Sequence, residues 1–210
     1  MGGMFWRKKP AQVAPVEVKP VNTLSAELNE YLFHWNMAKV LPQWKGIADY
    51  GCIRIKRNIG LYTRIADRCG NIPPYVVGLI HMMEASFSMD SHLHNGDPLS
   101  ARTIRVPAGR PLQGEPPFTW EESAIDALHT DHVLKTTQWG IPNTLYFLER
   151  YNGTGYLKRG VMSPYLWSGT TPYTKGKFGE DHEYDKDLVS KQVGCAAVMK
   201  ELQLSGYPLE

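Results

Sequence analysis

Charge of one sign, paired cysteine and long apolar runs are all scarce in this chain. Its 210 residues carry a formal net charge of only +2, too little to commit a protein electrostatically to nucleic acid. The three cysteines, Cys52, Cys69 and Cys195, are odd in number and form neither a CxxC pair nor a zinc-ribbon spacing. That usage predicts reduced thiols, with Cys195 as a buried small hydrophobe, and leaves a Cys52–Cys69 disulfide open. No apolar stretch reaches the length needed to cross a bilayer, so stable membrane insertion is not expected. Residues 1–10 lack a signal peptide's order of basic residues, apolar run and small-residue cleavage site. A target outside the cytoplasm would then have to be reached through release or delivery by another agent.

What is present describes an ordinary globular protein, with 42% hydrophobic and 21% charged residues. The length suits one domain with a core that needs no disulfide or metal staple. Residues 1–22, punctuated by Pro10, Pro15 and Pro20, read as an extended arm, and 23–210 as the domain. Helical spacing of Leu24, Leu28, Tyr31, Leu32, Trp35 and Ala38 predicts a helix to about Val40. A second helical stretch spans about Trp44 to Cys69, with Ile47, Tyr50, Ile53, Ile59, Tyr62 and Ile65 as its apolar set and Gly51 and Gly60 as candidate breaks. Pro73 and Pro74 open a nearly all-apolar, hence buried, helix through Phe87.

Residues 88–118 turn to glycine and proline, and Thr103-Ile104-Arg105-Val106 predicts a strand of a small β-hairpin. Thr119 and Glu122 form a capping box for a helix to about Val133. Further helices are expected from near Pro142 to Asn152 and from about Lys186 to Leu204, with a loop over 158–184. The fold class expected is mainly α (α+β), one domain with a small β-element.

Glu84 is the sharpest chemical feature. A carboxylate at the end of a buried apolar helix is unusual, and burial raises its pKa. A glutamic acid kept protonated near neutrality can act as a general acid, as cleavage of a glycosidic bond requires. The competing reading is a helix-end glutamate that turns to solvent or meets an arginine. Asn95-Gly96-Asp97-Pro98 is a natural turn, in which Asp97 would bond backbone, and Thr103 reads equally as an ordinary strand residue.

Glu84-Ala85-Ser86-Phe87 resembles the Glu-Ser-Ser-Phe signature of lytic transglycosylases and goose-type lysozymes. Arg150-Tyr151-Asn152-Gly153-Thr154-Gly155-Tyr156 is similar to the Ala-Tyr-Asn-Ala-Gly-x-Gly motif of the same group. Asp97 followed six residues on by Thr103 resembles the Asp and Thr of phage-type lysozymes. These resemblances cover about residues 70–160, and the Gly-Leu-Met-Gln element of transglycosylases is missing. They imply a lysozyme-like fold with the β-hairpin beside the cleft, acting on peptidoglycan glycan strands in the cell wall or periplasm.

By the same resemblance Glu84 is the acid, and Asp97 and Thr103 position the attacking water. Tyr151, Asn152 and Ser86 would hold the sugars. A monomer that needs no cofactor or metal is implied, of the kind found as phage endolysins. Hydrolysis requires a second carboxylate or its equivalent, whereas a lytic transglycosylase uses Glu84 alone. Asp97 tips the expectation towards hydrolysis, with transglycosylation as the alternative. Tyr165, Trp167, Tyr173 and Phe178, in a Gly/Thr-rich loop, are candidates for stacking on sugars or for anchoring the loop to the core.

Three rival readings remain. A zinc-dependent wall peptidase could draw ligands from His81, His92, His94, Asp97, His129, Asp131 and His132, with His92 and His94 on one side of a strand, although no HExxH occurs. A cysteine peptidase lacks a cysteine opening a helix beside a histidine. A non-catalytic wall-binding virion protein would keep the fold without needing an acid at position 84.

Overall fold

Pro74 sits in the first turn of its helix, where a missing N–H costs nothing, and the eight residues from Tyr75 to Met82 are all buried. In the computed structural model, which describes residues 23–70, 72–129, 138–179 and 183–209, this helix is the centre of the packing. The order of helices is α1 (Thr23–Met37), α2 (Lys45–Arg57), α3 (Ile59–Arg68), α4 (Pro74–Ala85), α5 (Trp120–His129), α6 (Ile141–Asn152), α7 (Gly155–Arg159), α8 (Pro164–Trp167) and α9 (Cys195–Leu204). A short 3-10 turn at Pro42–Trp44 precedes α2. Helix α4 packs on α2, α3 and α9, while α6 bridges α1 and α8. The described part of the chain is therefore mainly helical. The arm expected over 1–22 lies outside the described residues.

Close approach explains the central position of α4. A Cβ on Gly78 would lie 2.8 Å from the Tyr62 ring and 2.9 Å from the Ile55 side chain, so the helix meets α2 and α3 almost backbone to side chain. Gly51 plays the same part on α2, where a Cβ would meet Val198 at 2.9 Å and Met82 at 3.2 Å. The stretch expected from Trp44 to Cys69 is thus two helices, and neither Gly51 nor Gly60 divides them. The break falls at Asn58, whose Nδ2 donates to the Arg54 carbonyl at 3.0 Å.

The apolar set assigned to α2 also needs correction. Its buried face is Ala48, Gly51, Cys52 and Ile55, and Ile47, Tyr50 and Ile53 are exposed. Small residues win the inner face because α9 and α4 come too close for large ones. The α3 residues Tyr62 and Ile65 are buried as expected.

The capping box forms as read. Thr119 N–H donates to Glu122 Oε2 at 2.8 Å, and Glu122 N–H donates to Thr119 Oγ1 at 3.2 Å. The far end expected for this helix, near Val133, lies outside the described residues.

Three further expectations fail, one of them the loop over 158–184, which holds helix α8 and the strand Lys177–Phe178. Thr103–Val106 is no strand: Ile104 and Val106 are 83% and 89% exposed, and the segment is irregular. Its backbone is held by side chains of its own loop instead of by a partner strand, as detailed below. The small antiparallel sheet lies elsewhere, pairing β1 (Lys177–Phe178) with β2 (Tyr184–Asp185). The last helix begins at Cys195, not near Lys186. Residues 186–194 are irregular, and Gly194 passes close against α8, where a Cβ would lie 2.5 Å from the Leu166 carbonyl oxygen. All three cysteines are buried and free, so no Cys52–Cys69 disulfide forms.

Gly78→Ala sets two effects against each other. Alanine favours a helix interior by about 1 kcal/mol over glycine, whereas overpacking a filled core costs about 1–3 kcal/mol. Because the atoms met belong to buried Tyr62 and Ile55, overpacking should win, and urea denaturation should show a net loss of stability.

Candidate active site

The end of α4 departs from ordinary helix chemistry. Ser86 and Phe87 both have positive φ, 50° and 63°, in succession. Non-glycine residues occupy that region at about 1–2 kcal/mol each, so the packing must hold them there. The Phe87 N–H donates to the His81 carbonyl at 3.2 Å and Ser86 N–H to the Met82 carbonyl at 3.1 Å, closing the helix. Phe87 is buried among the core residues, while Ser86 stays exposed. A strained backbone two and three residues after Glu84 is the kind of local outlier that clusters at functional sites.

His81, three residues before Glu84, helps hold this end. Its Nε2 lies 2.8 Å from the Ser88 carbonyl, which can only accept, so Nε2 carries the proton. Nδ1 then accepts from the Tyr62 hydroxyl at 3.0 Å. Burial pushes the His81 pKa down to about 4, and the imidazole is neutral at ordinary pH.

The Glu84 carboxyl is half-buried and meets no arginine or lysine among the described residues. The Tyr165 hydroxyl donates to its Oε1 at 3.1 Å. Burial pushes its pKa from the ordinary 4.5 up to about 7, with the Tyr165 hydrogen bond opposing the rise only in part. Tyr151 on α6 is close enough to feel the carboxylate. Its hydroxyl is driven up first by burial and then by the charge of Glu84. The same order of causes raises the Cys195 thiol at the start of α9. Residues of four helices, α4, α6, α8 and α9, thus converge on one half-buried carboxyl.

Of the residues expected at the site, Glu84 and Tyr151 come together. Asn152 is exposed at the last position of α6, next to Tyr151. Ser86 lines a groove of about 570 Å³ with Met83, Phe87, Tyr50, Lys177 and Lys191. Glu84 itself turns to the adjoining face of the helix end, toward Tyr165.

Asp97 and Thr103 are committed elsewhere. Asp97 Oδ2 accepts from the backbone N–H groups of Ile104 and Arg105 at 2.8 and 3.0 Å, and Oδ1 accepts from Arg105 Nε at 2.5 Å. Desolvation would raise its pKa, but the two backbone donors and the guanidinium together hold the carboxyl below its ordinary value. Thr103 Oγ1 donates to the Pro107 carbonyl at 2.5 Å and accepts from Arg110 N–H at 2.9 Å. Asn95 Oδ1 accepts from Asp97 N–H at 3.0 Å, the turn chemistry read from Asn95-Gly96-Asp97-Pro98. Together these bonds shape the 95–110 loop. That loop docks on the acid's helix, since a Cβ on Gly96 would lie 3.1 Å from the Glu84 carbonyl oxygen.

The histidines considered as metal ligands are also engaged. His92 Nε2 donates to the Ala101 carbonyl at 2.8 Å and its Nδ1 meets Ser123 Oγ at 2.8 Å. His94 Nε2 lies 2.8 Å from Asp126 Oδ2, and His129 Nδ1 lies 2.9 Å from the Ile125 carbonyl. No group of three or more His, Cys, Asp or Glu suited to a metal ion occurs among the described residues. Asp131 and His132 lie outside them.

The loop aromatics anchor the core. Tyr165, Trp167 and Tyr173 are buried, and Phe178 packs against Tyr156 with ring centroids 4.9 Å apart. Tyr165 is the site residue whose role the sequence left hidden. Nothing in its local pattern marks it as the donor to Glu84, because the two are 81 positions apart.

Two outcomes follow from the environment of Glu84. Between pH 4.5 and about 7 the folded state keeps a proton that the unfolded state has released. The contribution of this group to stability therefore declines as pH rises through that window and stays low above it. Glu84→Gln removes the titration, so its stability relative to wild type should climb over the same range in denaturation series at several pH values. Tyr165→Phe removes the bond that favours the charged form. Carbon-13 NMR of the Glu84 carboxyl should then place its midpoint above the wild-type value.

No family model matches the chain, and neither curated proteins nor solved structures show a significant match to it.

Proposed function

We propose that this chain is a peptidoglycan-degrading glycosidase, cutting the β-1,4 link between N-acetylmuramic acid and N-acetylglucosamine with Glu84 as general acid. The observation that carries the reading is a carboxyl held up to about 7 by burial, with the Tyr165 hydroxyl as its hydrogen-bond donor. Such a group is protonated for a useful fraction of molecules at neutral pH. The short motifs at Glu84 and Tyr151 that resemble lytic transglycosylases support the same reading, since Tyr151 borders the carboxyl. Ser86 and Asn152, exposed at the ends of α4 and α6, would contact the sugar strand in this reading. The chain would act in the cell wall or periplasm after release or delivery, as phage endolysins do. No helix among the described residues is long and apolar enough to cross a membrane.

Within this reading the single-carboxyl route of a lytic transglycosylase is favoured over hydrolysis. Both oxygens of Asp97 are occupied by its own loop, and among the described residues no second carboxyl contributes to the shift of Glu84. In that route Glu84 gives its proton to the bridging oxygen as the C1–O bond breaks. The resulting carboxylate then takes a proton from the muramic C6 hydroxyl, whose oxygen closes on C1. The net result is an anhydro-muramic end and a free hydroxyl on the leaving sugar. Asp97 and Thr103 serve by shaping the loop that rests on α4.

Glu84→Gln should keep the fold and lower wall lysis by about 100-fold or more, because the amide has no proton to donate. Lysis at the wild-type rate would reject Glu84 as the acid. Mass spectrometry of digested peptidoglycan separates the routes: anhydro-muramic ends mark transglycosylation, reducing muramic ends mark hydrolysis, and freed stem peptides would replace the reading with a peptidase.

A further inference from the structure

Helix α6 carries a second buried polar side chain, Glu149, and the residue just before α8, Ser163, a second buried hydroxyl, both beside a cavity that Glu84 does not line. Positions 149 and 151 of α6 point about 200° apart around a helix, so Glu149 faces α1 where Tyr151 faces the acid. Glu149 is 4% exposed, and its Oε2 accepts from the Tyr31 hydroxyl at 2.5 Å. Burial raises its pKa, only partly offset by Tyr31 and Arg150. Beside it lies a cavity of about 100 Å³, open to the surface, that the proposed reaction does not use. Its inner wall holds buried Glu149, Tyr31, Trp167 and Ser163, and exposed Glu30 stands at its mouth. Ser163 is 1% exposed, yet its Oγ finds no hydrogen-bond partner among the described residues.

A buried hydroxyl without a partner costs about 1–3 kcal/mol, and a fold seldom keeps one inside an otherwise acidic and aromatic cavity without use. Three carboxylates line the space, from Glu27, Glu30 and Glu149. One of them, Glu27, is paired with Arg150, and among the described residues the ion-pair partner of Glu30 is His34 at 3.7 Å. The cavity therefore favours positive charge. A bare metal ion lacks the ligand geometry among the described residues. Aromatic and aliphatic walls, from Trp167 and Met162, instead suit the alkyl part of an organic cation, with further attraction from the ring faces. The volume matches about three waters, room for a short chain but not for a sugar.

From this geometry we infer that the cavity between α1, α6 and α8 binds a primary ammonium group on a short alkyl chain, with Glu149 and Ser163 receiving the head. Glu30 draws the cation to the mouth and Trp167 covers its methylenes. The site is independent of the glycosidase reading, since its test needs no wall lysis.

The test follows the Met162 methyl by carbon-13 NMR in the intact protein during titration with n-butylammonium chloride, n-butanol and Nα-acetyl-lysine amide. Butylammonium should give saturable shifts, and n-butanol should bind at least about tenfold more weakly. Glu149→Gln should weaken the amine by a similar factor. Glu30→Gln, at the exposed mouth, supplies the same comparison with a smaller loss should the buried variant fail to fold. Binding of the lysine amide at comparable strength identifies a lysine side chain of a polypeptide as the source, and its failure beside a bound butylammonium identifies a free small amine. Equal binding of butanol, absence of any saturable amine shift, or unchanged affinity in both Glu→Gln variants would each overturn the inference.

Discussion

Removing a carboxyl group from water is unfavourable unless it keeps its proton or gains a partner. Among the described residues Glu84 has one side-chain hydrogen bond and no cation beside its carboxyl, so burial dominates and the proton stays to about pH 7. Much of the described architecture serves to keep it there. Gly51 and Gly78 let α2 and α3 press against α4. His81, neutral and bonded on both ring nitrogens, fixes the end of that helix to Tyr62 and Ser88. The two left-handed residues after Glu84 turn the chain away at once, and the Asp97 loop rests on the outside of the turn. Loosening any of these contacts would admit water, and the carboxyl would drift back toward an ordinary acid.

The second constraint is the double use of thin elements. Helix α8 has four residues, all buried, with Tyr165 directed to Glu84 and Trp167 to the cavity beside Glu149. Helix α6 divides its faces in the same way between Tyr151 and Glu149. Neither element can rotate to improve one environment without damaging the other. Their positions are set from outside by α1, by α9 and by the passage of Gly194 against Leu166. Half-buried Glu84 and buried Glu149, both with raised pKa values, thus share a wall while facing different surroundings.

Legibility in the sequence followed the range of the interactions. Helix α4 and the Thr119–Glu122 capping box were plain because apolar density and caps act over a few residues. The turn at Asn95–Pro98 was plain for the same reason. The unusual position of Glu84 could be read from the apolar run before it, but Tyr165 could not, since its meeting with Glu84 is tertiary. The strand expected at Thr103–Val106 failed because β-type residues form a strand only with a partner, and here Asp97 and Thr103 took up the backbone groups. The apolar set of α2 was read from residue size. Tight packing reversed it, placing Ala48, Gly51 and Cys52 inward and leaving Ile47, Tyr50 and Ile53 in solvent.

The thiols carry a practical consequence. Cys69 and Cys195 are buried, and burial raises both above the ordinary thiol range, Cys69 to about 11. A thiolate is the form that reacts with alkylating reagents, so neither sulfur should be modified while its surroundings are closed. Cys195 borders Glu84, and its labelling can occur only when that part of the fold opens. The rate of modification at Cys195 therefore reports the opening free energy of the acid's own enclosure, using a probe that the chain already contains.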